Sequence, residues 1–480
     1  MLRQKTPSTE LQSKLAHASS YAQWANHAAA LDKHSAMDDW RRNEVSRDYD
    51  YRTVRQRLEH LSVLRSCGSF AKLMFALDEG IHGNFAGMGK AALYNHARMG
   101  TKHLIHQYIE QVCLSLEAID GVDEQVIALD GRRDFFVRAS QCFGRSALML
   151  SGGAMLGYFH VGVIKALLEQ RLLPKIISGS SAGSLIAAIV CTHRDDELAE
   201  RLQPERLIFK YAHSGTRRRS PLSSLLQAQD VTLHVHGLIP DLTFAEAYQV
   251  SGRHLNITVT GLETQQAPRL LNAITAPNVL IRSAILASTA VMGIIPPVSL
   301  QARNAAGQQV PYLAEQRWID GSFSDDLPAK RLGRLYGVNH FISSMANPAA
   351  LVLTANPNAR HGFFKRVLEQ HIRLGRTLAT GLLRLGRNQL QMRNPTLARW
   401  QHLGHSMLVQ DYTADINIFL DKRWHNPLKL LTPLPVQQVK QLVSAGEHAT
   451  WERMEMIRNC TAISRTLDQI LLRHGWQNRC

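Results

Sequence analysis

The sequence predicts an α/β protein built around a parallel sheet, with additional helical segments before and after the sheet domain. Three observations lead to this prediction. Short apolar runs alternate with helical patterns between about residues 146 and 346, which is typical of βαβ units. The 480 residues exceed the roughly 250–300 at which a single core stops growing. Hydrophobic residues make up 45% of the chain and no low-complexity tract interrupts it, which indicates a packed globular protein.

The first region, residues 1–145, is predicted to be a helical lobe. Between Tyr21 and Ile119 polar and apolar residues recur with helical periodicity, and a glycine-marked break lies at residues 80–84. Residues 1–34 contain no continuous apolar core, so we expect no secretory signal and a cytoplasmic protein.

The second region, residues 146–346, is predicted to be the α/β domain, and the third, residues 347–480, is predicted to be helical. The predicted strands of the domain are residues 147–150, which form a short apolar run, and residues 175–178, 255–260, 316–319 and 341–344. Helical patterns cover residues 158–170, 184–192, 361–394 and 434–475.

Two long uncharged stretches, residues 146–164 and 283–301, approach the length of a membrane-spanning helix. The first contains four glycines and a histidine, and the second contains Pro296-Pro297, which breaks a helix. We therefore expect no transmembrane segment.

The composition is basic, with 55 Lys and Arg residues against 39 Asp and Glu residues and a formal net charge of +16. This charge favours anionic partners such as nucleic acid or acidic lipid headgroups. The sequence has no motif of interleaved aromatic and basic residues, so nucleic acid is not expected as a partner. The six cysteines lack CxxC or Cys/His ligand spacing, so a reducing compartment and no metal site are expected.

The segment Gly179-Ser180-Ser181-Ala182-Gly183 matches the pattern G-x-S-x-G between a predicted strand and a predicted helix. In that context the serine lies on a sharp turn, where Gly179 and Gly183 permit strained backbone angles and the Ser181 hydroxyl is exposed above the sheet. The pattern predicts Ser181 as a nucleophile. A glycine-rich turn without chemistry is the alternative.

A second glycine-rich segment follows the first predicted strand, at Ser151 to Gly157. Backbone amides of Gly152, Gly153 and Ala154 would converge there at the start of a helix, which suits an oxyanion formed during ester cleavage. The alternative is a phosphate cradle. It is disfavoured because no Lys-Ser/Thr pair follows and G-x-G-x-x-G is not matched.

A serine hydroxyl needs a neighbouring group that accepts its proton. The 22 histidines include His234, His236 and His340, but none has a distinctive local pattern. A carboxylate can serve instead if burial raises its pKa. Asp320 fits this role because it follows a predicted strand and precedes the tight turn Gly321-Ser322.

These residues resemble the patatin-like phospholipase family: Gly152-Gly153, then Ser181, then Asp320 occur in the family's order. The chain is most similar to a branch of triacylglycerol lipases from yeast, plants and bacteria, in which a helical lobe precedes the patatin domain. Further matching stretches are Trp40-Arg41, Asp48 to Tyr51, Gly100 to Lys102, Leu271 to Ile281, Asp326 to Pro328, Asp415 to Ile418, Gly446-Glu447 and Thr450-Trp451.

The resemblance implies a three-layer α/β/α fold and a Ser-Asp dyad without histidine, metal or cofactor. Members of the family commonly carry a basic residue in the oxyanion loop, whereas this loop contains Ala154-Met155-Leu156. Oxyanion stabilisation is therefore expected to depend on backbone amides alone.

The implied function is a lipid acyl hydrolase that acts on glycerolipids, with triacylglycerol as the first expectation. A phospholipase A, a lysophospholipid acyltransferase and a non-catalytic lipid-surface protein are the alternatives. The expected location is peripheral, on a membrane or lipid-body surface, and the sequence leaves the oligomeric state open. Residues 363–390 form an amphipathic pattern with one apolar and one basic face, which suits either a lipid surface or packing on the α/β domain.

Overall fold

The computed structural model describes residues 7–209, 227–263, 266–353, 410, 412, 414–421 and 430–476. The predicted helix over residues 361–394, with its amphipathic pattern at residues 363–390, lies outside the described residues. Within the described ranges, no helix combines the length and the hydropathy needed to cross a bilayer.

Helices fill the first part of the chain, as the sequence predicts. They are Pro7–Ala16 (α1), Tyr21–His34 (α2), Met37–Arg42 (α3), Tyr51–Ser66 (α4), Phe70–Gly80 (α5), Ala91–Tyr94 (α6), His103–Asp120 (α7) and Leu129–Phe143 (α8). The longest, α7, buries Leu104, Tyr108, Val112 and Leu116, whose spacing of four residues places them on one face. Helix α7 packs against α4 within this helical lobe.

The strands of the sheet domain are Arg145–Leu150 (β1), Ile176–Gly179 (β2), His254–Gly261 (β3), Arg269–Leu271 (β4), Gln301–Arg303 (β5), Gln309–Pro311 (β6), Trp318–Asp320 (β7), Val338–Met345 (β8) and Ile416–Phe419 (β9). Its helices are Tyr158–Glu169 (α9), Ala182–Cys191 (α10), Asp195–Arg201 (α11), Pro204–Leu207 (α12), Ala228–Leu238 (α13), Phe244–Ser251 (α14), Ile281–Ser288 (α15), Ala329–Tyr336 (α16) and Pro348–Leu353 (α17). Two further helices follow, Val436–Trp451 (α18) and Met454–Arg473 (α19).

The main sheet has the order β4-β3-β2-β1-β8-β9, and helices flank it, which confirms the predicted α/β architecture. Strands β3, β2, β1, β8 and β9 are mutually parallel. The prediction of a parallel sheet is incomplete, because β4 and β7 both pair antiparallel with β3. Strands β5 and β6 form a separate hairpin.

The antiparallel direction of β4 follows from its short connection to β3, because no described helix lies between the two strands. Helix α15 and the hairpin of β5 and β6 separate β4 from β7, so β7 reaches β3 by a longer route. Strands β4 and β7 have only three residues each. Such short strands carry little periodic signal. Strand β4 is absent from the predicted strands, whereas the predicted strand at residues 316–319 overlaps β7 and misses only its antiparallel pairing.

The sheet also extends beyond residue 346, the predicted end of the domain. Strand β9, at Ile416–Phe419, pairs parallel with β8, although the sequence predicts a helical region over residues 347–480 and no strand within it. Helix α18 packs on α9 with close backbone contact: a Cβ at Gly162 would overlap the Val443 carbonyl, and one at Gly446 would overlap the Phe159 carbonyl. The division into residues 1–145, 146–346 and 347–480 stays a prediction.

The carboxyl ends of β1, β2 and β8 meet at one edge of the sheet, because the three strands are parallel neighbours. The segments that leave them are joined by hydrogen bonds from Ser151 N to Ser344 O, 3.1 Å, and from Ser180 N to Leu150 O, 3.2 Å. The predicted nucleophile and the predicted oxyanion loop both lie at this edge.

Candidate active site

Ser181 lies at the turn between β2 and α10 and has φ 50° and ψ −125°, which is rare for a residue with a side chain. Such a conformation costs about 1–3 kcal/mol and persists only where the surroundings impose it. Here the Ser181 N–H donates to Ser288 Oγ at 2.9 Å, and Ser184 Oγ donates to the Ser181 carbonyl at 2.6 Å. The backbone N–H and the carbonyl of Ser181 are thus both held by hydrogen bonds.

Two glycines make this turn possible. A Cβ on Gly179 would overlap the carbonyl of Gly183, and a Cβ on Gly183 would overlap the carbonyl of Leu150 at the end of β1. The two ends of the turn therefore contact each other, and the turn contacts the end of β1, at backbone distances that leave no room for a Cβ.

Asp320 is brought to the same place by the pairing of β3. Val259 of β3 pairs with both Arg269 of β4 and Asp320 of β7, so β4 and β7 lie on opposite edges of β3. Ile257 pairs in the same way with β4 and with Gly179 of β2. Consequently β2 and β7 pair with the same edge of β3. The pairing of β2 ends at Ile257, and β7 pairs with the residues that follow, from Val259 onward.

The Asp320 carboxyl is buried, with an exposed fraction of 2%. Loss of water around it raises its pKa to about 6, and hydrogen bonds from the Ser322 amide, at 2.8 Å, and from the Ser181 hydroxyl act in the opposite direction. The structure thus brings together the two side chains that the sequence singled out.

The residues after Asp320 pack closely on their neighbours. A Cβ on Gly321 would overlap the carbonyl of Thr258 in β3. Ser322 Cβ lies 2.8 Å, and Ser181 Cβ 3.4 Å, from where a Cβ on Gly152 would be. The glycine-rich loop after β1 therefore contacts both the predicted nucleophile and the turn after Asp320.

The amides of this loop are not equivalent. Gly152 N–H donates to the side chain of Asp326, N to Oδ1 2.7 Å. Within the described part of the chain, the amides of Gly153 and Ala154 have no hydrogen-bond acceptor. Ala154 has φ 48° and begins a short 3₁₀ turn that leads into α9, so two free amides lie at the positive end of helical backbone.

Asp326 was not identified as a functional candidate from the sequence. It is 1% exposed, and burial raises its pKa to about 6. Besides Gly152 N–H, its carboxylate accepts hydrogen bonds from Ser180 Oγ at 3.0 Å and from Asn347 Nδ2 at 2.8 Å. The only sequence signal was its place in the matching stretch Asp326 to Pro328, where no local pattern distinguishes it from a surface aspartate.

An apolar cavity opens beside Ser181 and contains about 820 Å³ free of protein atoms, part of it open to solvent. None of the lining residues that the structure describes is an Asp, Glu, Lys or Arg. The lining comprises Ala154, Met155, Gly157, Tyr158, Ser181, Ala182, Leu185, Ile186, Leu207, Phe209, Val231, His234, Val235, Leu238, Ile285, Thr289, Val291, Ile294, Ile295 and Leu431.

The histidines do not form a triad with Ser181 in the described part of the chain. His234 lines the cavity, but its ring stacks on Phe209 with centroids 3.7 Å apart, and burial lowers its pKa to about 4. His340 Nδ1 contacts Ser146 Oγ at 3.1 Å, near the start of β1 and away from the turn. His236 is exposed on α13.

His160 has a structural role behind the glycine-rich loop. Its ring nitrogens contact Ser344 Oγ at 2.7 Å and the Ser151 carbonyl at 2.9 Å, and burial lowers its pKa to about 4. The neutral ring therefore links the loop to β8. Among the described residues, no cluster of three His, Cys, Asp or Glu side chains is suitable for a metal ion.

Two family models match the chain. Residues 148–332 match the model described as patatin-like phospholipase, and residues 1–141 match a domain of unknown function, DUF3336. The first match spans the elements that carry Gly152, Ser181 and Asp320. The second coincides with the helical lobe α1 to α8.

Relatives align over most of the chain. Triacylglycerol lipase ptl2 of Schizosaccharomyces pombe is 30% identical, over 96% of this chain and 75% of its own length. Triacylglycerol lipase SDP1L of Arabidopsis thaliana is 30% identical, over 94% of this chain and 57% of its own. A patatin-like phospholipase domain-containing protein of Cryptococcus neoformans is 33% identical, over 95% of this chain and 54% of its own.

The chain spans about half the length of several of these curated relatives. Among solved structures, VipD from Legionella pneumophila aligns over 66% of this chain and 67% of its own, with 14% identity and a TM-score of 0.34. That likeness is too distant to support a conclusion about this site.

Proposed function

Because the chain belongs to the patatin-like phospholipase family, we propose that it is a serine hydrolase that cleaves acyl esters of glycerolipids, with triacylglycerol as the main substrate. One observation carries the proposal: a serine on a strained turn borders an apolar cavity, and its hydroxyl lies close enough to a buried carboxyl to lower the pKa of that carboxyl. A strained serine with these two neighbours is the arrangement that a nucleophile requires.

The proposed reaction has two halves. Asp320 accepts the proton of the Ser181 hydroxyl while Oγ forms a bond to the ester carbonyl carbon, and the carbonyl oxygen becomes an oxyanion. When this intermediate collapses, the bond to the alcohol oxygen breaks and Asp320 returns the proton to that oxygen. In the second half a water molecule gives a proton to Asp320 while its oxygen forms a bond to the acyl carbon. The bond between that carbon and Ser181 Oγ then breaks, Asp320 returns the proton to Oγ, and the fatty acid leaves.

Asp320 suits this role through its environment. A base works best when its pKa lies near the working pH, and burial brings the pKa of this carboxyl to about 6. It is then ionised at neutral pH and basic enough to accept a proton in the transition state. No described histidine is within hydrogen-bonding distance of Ser181, which supports a dyad instead of a triad.

The oxyanion donors in this proposal are the free amides of Gly153 and Ala154. Gly152 belongs to the same loop, but its N–H is already engaged by Asp326, so it contributes to the shape of the loop. The amide of Ala182, the first residue of α10, is a third candidate because it also has no acceptor among the described residues. Preorganised amides supply most of the stabilisation in acyl transfer.

Ser181 is preferred over its neighbour Ser180 as the nucleophile. Ser180 hydrogen-bonds with a carboxylate, Asp326, but it is fully buried and does not line the cavity. A substrate ester can reach only the hydroxyl that borders the cavity.

The cavity supports an uncharged lipid as substrate. Its described lining has no cationic side chain that would pair with a phosphate headgroup, while apolar side chains surround the space beside Ser181. The printed names of the relatives ptl2 and SDP1L support triacylglycerol in particular. Since this substrate is insoluble, we also propose that the protein works at the surface of a membrane or lipid body and not with nucleic acid.

A phosphonate that labels active serines, combined with a panel of lipids, tests the proposal. The wild-type protein should be labelled and should hydrolyse a triacylglycerol emulsion faster than a phospholipid or a lysophospholipid. Ser181→Ala should abolish labelling, while Ser180→Ala should still be labelled at a reduced rate. Absence of labelling in the wild-type protein would favour a non-catalytic lipid-surface protein, and acyl transfer to a lysolipid would favour an acyltransferase.

A further inference from the structure

We propose that Asp326 is a positioning residue. Its buried carboxylate fixes the oxyanion loop, residues 152–154, relative to the nucleophile turn, residues 179–183. The inference rests on the proposed function, because it concerns the alignment of Gly153 and Ala154 with Ser181. Asp326 itself touches neither the cavity nor the reacting atoms.

The carboxylate joins three segments that leave three neighbouring strands. Oδ1 accepts hydrogen bonds from the Gly152 amide after β1, at 2.7 Å, and from Ser180 Oγ after β2, at 3.0 Å. Oδ2 accepts one from Asn347 Nδ2 after β8, at 2.8 Å. One side chain thus connects the oxyanion loop, the nucleophile turn and the end of the adjacent strand.

These hydrogen bonds can align the site because each one is made by a residue next to a reacting group. Gly152 directly precedes Gly153, and Ser180 directly precedes Ser181. A single oxygen atom, Asp326 Oδ1, therefore accepts hydrogen bonds from the Gly152 amide, next to the proposed oxyanion donors, and from the Ser180 hydroxyl, next to the proposed nucleophile. Donors and nucleophile must share one geometry at the reacting carbon, and a misplacement of about 1 Å can cost about 100-fold in rate.

Further hydrogen bonds hold Asp326 and its partner Ser180. Its N–H donates to Gln410 Oε1 at 2.8 Å, and Gln410 Nε2 donates to the Ser322 carbonyl at 3.2 Å. Thr258 Oγ1 donates to Ser180 Oγ at 3.0 Å. The same network therefore also includes the turn that follows Asp320.

The electrostatics argue that Asp326 is kept for alignment and not for stability. Its described hydrogen-bond partners are an amide N–H, a hydroxyl and a side-chain amide, and each is neutral. A buried carboxylate with neutral partners is costly to ionise, as the raised pKa of Asp326 reflects. A side chain chosen for stability alone would be neutral at this position.

The test compares Asp326→Ala with a double variant, Asp326→Asn with Asn347→Asp. In the double variant the amide and the carboxylate exchange places. The amide carbonyl at position 326 can still accept from Gly152 and Ser180, and its NH₂ can donate to the carboxylate at position 347, so all three bonds can form. Asp325→Asn is the matched control, because Asp325 is the adjacent carboxyl and pairs with Arg331.

Two readouts separate alignment from general damage. On a soluble short-chain ester, Asp326→Ala should lower kcat by about 100-fold and change KM by less than about threefold. A trifluoromethyl ketone, which forms a tetrahedral adduct with its oxyanion in the hole, should bind more weakly by the same factor as kcat/KM falls. The double variant should retain kcat within about threefold of the wild type, and Asp325→Asn should match the wild type.

The outcomes decide between the two proposals. A folded Asp326→Ala protein with unchanged kcat and unchanged ketone binding overturns the positioning role, as does an equal loss of kcat in Asp325→Asn. If Asp326→Ala does not fold, Ser180→Ala takes its place, because it removes the bond that links Asp326 Oδ1 to the nucleophile turn: a kcat loss with KM nearly unchanged supports the role, and a wild-type kcat overturns it. Failure of the wild-type protein to hydrolyse any ester overturns the proposed function instead.

Discussion

Gly179 and Asp320 lie on the same edge of β3, opposite Ile257 and Val259 respectively. The chain reaches Ser181 two residues after Gly179, so the nucleophile turn begins where β7 ends. Because the hydrogen bonds of β3 set both positions, the approach of Ser181 to Asp320 depends on sheet pairing and not on a flexible loop. This relationship underlies the predictions that follow.

The pH dependence of hydrolysis should report the ionisation of Asp320. Its carboxyl has a pKa of about 6, so below this pH kcat/KM should fall about tenfold per pH unit as the base becomes protonated. Rates on a soluble ester between pH 4 and pH 9 measure this. Asp320→Asn should lower kcat/KM by about 10²–10⁴-fold and remove the acidic limb of the profile.

The same substitution should stabilise the fold at alkaline pH. The folded pKa of about 6 exceeds the ordinary 3.8, so the contribution of Asp320 to stability is greatest below about pH 4 and is lost as the pH rises through 6. Above pH 6 the ionised carboxyl costs about 3 kcal/mol. Thermal unfolding of Asp320→Asn should show a higher Tm than the wild type at pH 8 and a similar Tm at pH 4. A lower Tm at pH 8 would contradict the assignment.

His234 should be dispensable for proton transfer. Its ring stacks on Phe209 and burial lowers its pKa to about 4, so it is neutral and lies within an apolar contact. His234→Phe keeps the stacked ring and should change kcat/KM by less than about tenfold, against the 10²–10⁴-fold expected for loss of a general base. A larger loss, together with the disappearance of a titration between pH 6 and pH 7, would point to a histidine-dependent mechanism.

The strained backbone at Ser181 predicts a difference between two inactive variants. Ser181→Ala keeps a Cβ at φ 50°, whereas Ser181→Gly removes it, and glycine accepts this conformation without steric cost. Ser181→Gly should therefore be the more stable of the two by about 1 kcal/mol, after allowance for the entropy of glycine in the unfolded chain. Urea unfolding measures the difference, and equal midpoints would show that the turn stores no strain.

The parts of the fold that the sequence predicted are those with a strong local signal. Strands β1, β2, β3 and β8 are largely buried apolar runs next to glycines or turns, and all four are found within a few residues of their predicted positions. The predicted strand at residues 316–319 overlaps β7, but its antiparallel pairing was not predicted, and neither were the short β4 and the distant β9, because these features depend on which strand each one pairs with. That information is tertiary and has no periodic trace in the sequence.

The candidate site divides in the same way. The turn at Ser181, the loop from Gly152 to Ala154 and the Asp320-Gly321 pair could be identified because glycines mark close contacts that a Cβ would block. Asp326 could not, since its partners lie far away along the chain and nothing next to it signals burial. The catalytic roles of Ser181 and Asp320 stay predictions until the substitutions above are made.

The glycine-mediated contact between α9 and α18 bears on how the protein can be dissected. Helix α9 leads directly out of the loop that carries Gly153 and Ala154, and its outer face meets backbone from residues 443–447. A recombinant fragment that stopped near residue 346 would lose β9 and α18 together, which would expose the edge of β8 that β9 covers and the face of α9 that contacts α18. We expect such a fragment to aggregate, so a stable fragment of this domain should extend beyond the segment matched by the patatin model, at least through Trp451.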